Sequence, residues 1–188
     1  QMDPTEVLAV EIKRYSGNGL TTLVPRIFGQ TAEAQQKKSV TSSETRQWDE
    51  RSFFGELQRR HGSDATVIAR KILDWAHVNG QVWWGQGARS GSFVPFFTHK
   101  GTDHPLFAVW TYGRVEIYFY WYTRRAPFDS DLKKKELLSK LNAIAGINLP
   151  DDAINKRPGI PISAFTADDA LKSFFEIFEW FINEVKST

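Results

Sequence analysis

Apolar residues crowd into short runs at the start of the chain and take up helical spacing further on. Residues 7–15 (Val-Leu-Ala-Val-Glu-Ile-Lys-Arg-Tyr) read as a strand apolar enough to be buried, with Glu11 and Lys13 sharing one of its faces. Ser16-Gly17-Asn18-Gly19 predicts a turn, and residues 20–28 a second extended piece that Pro25 confines to an edge or a bend. The stretch 30–38, rich in Ala, Gln, Glu and Lys, predicts a helix. Residues 41–47 are polar and read as a linker between this strand–strand–helix segment (1–40) and a larger domain (48–188).

In the larger domain Asp49 is placed to cap a helix over 49–60, with Phe53, Phe54 and Leu57 as its apolar stripe and Gly62 as its end. A second helix to residue 79 carries Val67, Ile68, Ile72, Trp75 and Ala76 at core spacing, and Gly80 stops it. Alternation then predicts strands over 82–85, 92–98, 106–112 and 115–123, with turns at 100–104 and at Gly113-Arg114. A helix over 131–145 points Leu132, Leu137, Leu138, Leu141 and Ile144 inward and Lys133-Lys134-Lys135 outward. Three prolines make 149–164 an ordered loop, and Thr166 caps a last helix through Lys186 with Leu171, Phe174, Phe175, Phe178 and Phe181 on one stripe. The expected fold class is α+β: an antiparallel meander packed with about four helices, preceded by the strand–strand–helix segment.

Composition narrows the classes. Fourteen Phe, seven Trp and five Tyr in 188 residues supply a core and exclude a disordered chain. No apolar run approaches the roughly 20 residues that span a bilayer, so a membrane partner is not expected. The absence of Cys removes disulfides, thiolate zinc sites and Cys nucleophiles, and fits a cytoplasmic location. A formal charge of +2 means that polyanion binding has to come from local clusters of cations. Gln1 ahead of Met2, followed at once by a buried-strand pattern, predicts that the chain starts inside a longer protein.

Three constellations carry candidate chemistry. The first is Glu11-x-Lys13. A carboxylate and an ammonium two apart on a strand face the same side, where one can hold Mg²⁺ and the other can stabilise an attacked phosphate. The spacing alone equally describes an exposed ion pair. The surrounding residues, Leu8-Ala9-Val10-Glu11-Ile12-Lys13, Leu23-Val24-Pro25-Arg26 and Gly29-Gln30-Thr31-Ala32-Glu33-Ala34, resemble the end of a PD-(D/E)XK nuclease-like domain in a widespread group of uncharacterised bacterial proteins. Trp83-Trp84-Gly85, Gly91-Ser92-Phe93, Val109-Trp110-Thr111, Pro127-Phe128 and Arg157-Pro158 resemble the second domain of the same group. The resemblance implies that Glu11, Lys13 and Gln30 are catalytic residues, that Glu11 is a metal ligand, and that Mg²⁺ is the cofactor of a longer parent protein. It also implies an acidic ligand upstream of Glu11. Asp3 lies too close to serve, so this chain alone is expected to be inactive.

The second constellation is the predicted strand 115–123. Its alternation places Val115, Ile117, Phe119 and Trp121 on one face and Glu116, Tyr118, Tyr120 and Tyr122 on the other, ending in Arg124-Arg125. Tyrosines beside arginines stack single-stranded bases and pair phosphates, and they equally cover a sheet beneath a helix. The third is Gly85-Gln86-Gly87-Ala88-Arg89-Ser90-Gly91 after Trp83-Trp84. It lacks the Lys-Ser/Thr of a phosphate loop, and a hairpin loop needing positive φ explains it more simply. Arg89, Lys100, Arg114, Arg124 and Arg125 all fall at strand ends, where a shared basic rim could form. His99 and His104 flank a turn and lack a third metal ligand.

The leading expectation is a nuclease-like, nucleic-acid-binding protein whose contacts include Trp83, Trp84, Arg89, Tyr118, Tyr120, Tyr122, Arg124 and Arg125. Two others stand beside it: a protein-interaction or homodimerisation module, and a small-ligand pocket around Trp83 and Trp84.

Overall fold

A computed structural model describes residues 9–17, 20–28 and 46–188. The chain divides into two units, residues 1–44 and 45–188. In the first, β1 (Ala9–Gly17) and β2 (Leu20–Phe28) form an antiparallel pair whose register runs from Ala9 opposite Phe28 to Gly17 opposite Leu20. The helix expected over 30–38 lies outside the described residues.

The second unit opens on β3 (Arg46–Gln47), at the end of the stretch read as a linker. Helix α1 (Glu50–Asn79) follows, and its start obeys local rules. The Asp49 carboxylate accepts from the Ser52 backbone N–H at 2.8 Å while the Ser52 hydroxyl accepts from the Asp49 N–H at 3.0 Å, a reciprocal cap on donors that the helix leaves free. Gly62, at φ 78° and ψ −170°, leaves the helical conformation and divides α1 at a kink into two helical arms, at the position expected for the end of the first predicted helix. Val67, assigned to the core, is exposed.

Six strands make the main sheet: β4 (Gln81–Trp84), β6 (Ser92–His99), β7 (Thr102–Pro105), β8 (Phe107–Trp110), β9 (Arg114–Ile117) and β10 (Gly159–Pro161). Their order is β10-β9-β8-β6-β4, with β7 paired to the far half of β6. A short ribbon joins β3 to β5 (Gln86–Gly87). The β6–β7 turn is only Lys100-Gly101, both at positive φ, the conformation a two-residue hairpin of this twist requires. All pairings are antiparallel.

The aromatic run departs from expectation. β9 stops at Ile117, and α2 (Phe119–Tyr122) is a single helical turn. Strand alternation therefore ends after Ile117. Phe119 and Tyr122, three apart on one side of the turn, are buried, whereas Tyr120 and Trp121 are exposed. The turn is fixed by tertiary bonds: the Ile117 N–H donates to the Pro158 carbonyl and the Tyr120 N–H to that of Lys156.

Helix α3 (Asp131–Asn142) is shorter than expected. Its Leu132 faces solvent, and Lys134, assigned to the solvated face, is only 2% exposed. The Lys134 stem is covered while its ammonium reaches the exposed Asp131 at 2.8 Å. The Pro-rich loop contains two 3₁₀ turns (Asp151–Asn155 and Ile162–Phe165) flanking β10. Helix α4 (Asp168–Lys186) begins after Ala167, not at a Thr166 cap, because the Thr166 hydroxyl donates to the Ser163 carbonyl. Asp168 and Asp169 in its first turn suit the positive end of the helix dipole.

The helices pack their apolar stripes against Phe93, Phe97, Phe107, Val109, Val115 and Ile117, alternate positions on adjoining strands. Phe107 meets Phe178 edge-on at 4.7 Å and Phe174 at 5.0 Å, and Phe128 stacks on Phe181 at 3.9 Å. The fold is α+β, an antiparallel sheet packed with about four helices. Among the described residues no helix is long and apolar enough to cross a membrane.

Candidate nucleic-acid interface

The expected contact residues separate into four places. Trp83 and Trp84 are neighbours on β4 and so face opposite ways. Trp83 is 42% exposed and stacks on Phe96 at 4.1 Å, whereas Trp84 turns into the core beside Phe53 and Phe93. A ligand pocket lined by both rings does not form.

The glycine loop is a socket for Trp48. The Trp48 indole N–H donates to the Gly87 carbonyl at 2.8 Å, and its backbone N–H to the Gly85 carbonyl at 3.1 Å. A Cβ at Gly91 would lie 2.2 Å from the indole. Gly85, Gly87 and Gly91 are absent from the positive-φ glycines, so close approach, not a left-handed backbone, requires a glycine at position 91. The N–H groups of Gly85 and Gly91 are consumed by the Ser92 carbonyl and the Thr111 hydroxyl, which leaves neither to cradle a phosphate. Arg89 is exposed, and its carbonyl accepts from the Arg60 guanidinium.

The basic rim splits in two. Arg89 precedes β6 and Lys100 follows it, and an eight-residue strand sets them about 25 Å apart. Arg114 pairs with Trp110, which is opposite Ser92, so it belongs to the Arg89 end. Arg114 also spends a guanidinium N–H on the Gly159 carbonyl. Arg124 and Arg125 follow α2 beyond the other end of β9.

The three tyrosines do not share a face. Tyr122 is buried against Phe119, Phe128 and Phe181 and donates its hydroxyl hydrogen to the Leu106 carbonyl. Tyr118 is half-buried, and burial, reinforced by Glu116, pushes its phenol up to about 12. Tyr120 alone is exposed. Its neighbour Trp121, assigned by alternation to the core, is exposed with it.

A different grouping emerges at this corner. Tyr120 and Trp121 are 51% and 44% exposed and meet edge-on, with centroids 6.3 Å apart. The Arg124 guanidinium lies 5.7 Å from the Trp121 ring centre. Asn155, Lys156 and Arg157 close the other side of a concavity of about 340 Å³ lined by both rings. The bond from the Tyr120 N–H to the Lys156 carbonyl holds the two sides together. Lys156 pairs with the exposed Asp152 four residues before it, whereas Arg124, Arg125 and Arg157 join none of the ion pairs among the described residues. Sequence reasoning missed Trp121, Lys156 and Arg157. Only their pairing in the fold brings them together.

In the first unit, positions 11 and 13 fall on one face of β1, opposite Arg26 and Val24 on β2. Glu11 is exposed, and Gln30 lies outside the described residues. Mg²⁺ takes six oxygen ligands, and Glu11 supplies two at most. Among the described residues no group of three or more His, Asp or Glu is placed to hold a metal ion. Compared with known proteins, the chain matches no family model, no curated protein and no solved structure.

Proposed function

We propose that residues 45–188 hold single-stranded nucleic acid at the Tyr120–Trp121 corner, as the binding part of a nuclease-like protein. The observation that carries this reading is a pair of exposed aromatic rings set among Arg124, Lys156 and Arg157, two of which have no acidic partner among the described residues. Base stacking is sequence-tolerant, and guanidinium and ammonium groups neutralise the phosphates on either side. Large rings left in water beside unpaired cations are costly for a surface with no partner and apt for one that meets a π-face and an anion. The nuclease part of the reading rests on Glu11 and Lys13 at alternate positions of β1.

The test is fluorescence anisotropy of a labelled oligothymidylate at two salt concentrations. Stacking of about 1–3 kcal/mol per base predicts that Trp121→Ala weakens binding about fivefold to 150-fold. Affinity should fall with salt, and Arg157→Ala should flatten that slope by about 0.7. Absence of binding at micromolar protein, or equal binding by Trp121→Ala, refutes the reading. A concentration-dependent dimer lost in Trp121→Ala would give the corner to a second copy instead.

A further inference from the structure

Behind the corner, a separate cavity of about 80 Å³ opens between β7, the segment after α2, and the end of α4. Its walls are mainly apolar: Trp121, Phe128, Phe181 and Val185 line it, with His104, Arg125 and the more exposed Arg124 among its polar members. Phe128 and Phe181 are stacked, which makes that wall rigid. Arg125 is anchored through its backbone N–H to the Tyr122 carbonyl at 3.0 Å, and its guanidinium has no carboxylate partner among the described residues. One guanidinium nitrogen, Nη1, is fully enclosed and finds no acceptor.

The histidines of the β6–β7 hairpin converge on the same region. Phe97 pairs across the strands with His104 and stacks on it at 5.1 Å. His99 is two residues from Phe97 on the same strand face, and its Nε2 is likewise enclosed without a partner. Burial, then Arg125 and His99, lower the His104 pKa, which disfavours a charge on this imidazole and leaves the guanidinium groups of Arg125 and the outer Arg124 as the cations of the cavity.

We propose that this cavity binds a small monocarboxylate with a compact apolar body, the carboxylate on Arg125 and the body against Phe128, Phe181 and Val185. Arg125 is part-buried with its Nη1 enclosed against apolar walls and no acid beside it among the described residues, and an enclosed donor of this kind is costly unless an acceptor arrives. Its planar fork suits a carboxylate, and one positive charge balances one negative charge. Inorganic phosphate has no apolar body to set against Phe128, Phe181 and Val185, so it forgoes the contacts that most of the lining offers. This inference does not depend on nucleic-acid binding at the corner, although Trp121 borders both sites.

Hexanoate serves as the probe, titrated into the full chain by calorimetry beside hexanol, hexylamine and inorganic phosphate. Hexanoate should bind at least tenfold more tightly than the other three, and Arg125→Gln should lose at least tenfold of that affinity. In the unmodified protein the ring resonances of His99 and His104 should move with hexanoate while those of His61 and His77 stay, a readout that stands even if Arg125→Gln fails to fold. Lys156→Ala should weaken oligonucleotide binding and leave hexanoate binding unchanged, so the two sites fail or succeed separately. Equal binding of hexanol, preference for phosphate, unmoved His104 resonances, or full affinity in a folded Arg125→Gln overturns the proposal.

Discussion

Gly91→Ala is the substitution that best separates a structural socket from a phosphate loop. The added Cβ would sit 2.2, 2.5 and 2.7 Å from three carbons of the Trp48 indole, where carbon atoms rest at about 3.5–4.0 Å. The ring has little freedom to yield. It is 2% exposed, its N–H is bonded to the Gly87 carbonyl, and the Arg46 guanidinium sits 3.7 Å from its centre. A buried Trp covers about 150–250 Å², so expelling it forfeits roughly 4–6 kcal/mol at about 25 cal/mol per Å². Shifting the loop instead falls in the overpacking range of about 1–3 kcal/mol. The cheaper route sets the expected loss at about 1–3 kcal/mol, read as a lower urea midpoint with an unchanged slope. Gly55→Ala is the control: its Cβ meets nothing within 4 Å on α1, and it should gain about 0.5–1 kcal/mol. Trp48→Ala combined with Gly91→Ala should cost less than the sum of the two, because the clash disappears with the ring. Gly91→Ala within about 0.5 kcal/mol of the parent would refute the socket. If the loop cradled phosphate, the same substitution would weaken oligonucleotide binding while leaving the urea midpoint in place.

Further substitutions probe the corrected elements. Tyr122→Phe removes the hydroxyl that donates to the Leu106 carbonyl and should cost about 1–2 kcal/mol in urea unfolding, with far-ultraviolet dichroism unchanged. Lys134→Ala should cost about 1–2 kcal/mol through its covered stem, whereas the exposed Lys135→Ala stays within about 0.5 kcal/mol. The lowered pKa of His104 means that the unfolded chain takes up the proton first. Its contribution to stability is present above about pH 6.5 and is lost as pH falls through the folded value, so the urea midpoint should drop over that window less steeply in His104→Gln. Glu56, held at about 2 by Arg59 and then Arg60, stabilises above its ordinary carboxylate range and loses that contribution as pH falls through about 2; Glu56→Gln should flatten the acid limb of the stability curve.

What could be read from the chain was local. Asp49 and Ser52 cap α1 through bonds three residues apart, and Gly62 and Lys100-Gly101 sit where left-handed backbone is needed. Such features require no knowledge of distant residues. The failures share the opposite character. Val115 to Tyr122 is apolar or aromatic at nearly every second position, which suits a strand, but Phe119 and Tyr122 are also three apart, which suits a helical turn. The choice is made by carbonyls at Lys156 and Pro158, which no window around residue 120 contains. β10 is three residues long, preceded by Pro158 and ending on Pro161, below the length at which alternation means anything. Lys134 was misplaced because helical spacing assigns a direction to the Cβ and not to a long stem that folds back over its neighbours. Of the candidate site, Arg124 and Arg125 were visible as a basic pair. Their different surroundings were not, since only the fold leaves Arg124 exposed beside Trp121 and encloses the Arg125 Nη1.

The break in alternation at Ile117 decides what kind of surface this protein offers. Had the strand continued, three tyrosines would have lain in line along a sheet, a platform on which successive bases stack at strand spacing. The helical turn instead sends one tyrosine inward to anchor α4 and leaves two rings meeting edge-on at a corner. Rings so arranged cannot both stack on adjacent coplanar bases. They can hold one base against Trp121 while Tyr120 limits its approach, with Arg124 on one side and Lys156 and Arg157 on the other. Under the proposed function, a corner of this shape would grip a bend or an end of a strand, not a long straight run, with its energy concentrated in one stack. Affinity should therefore saturate with oligonucleotides only a few residues long. A platform would go on gaining with each added base, and that difference in length dependence follows from the single turn at residues 119–122.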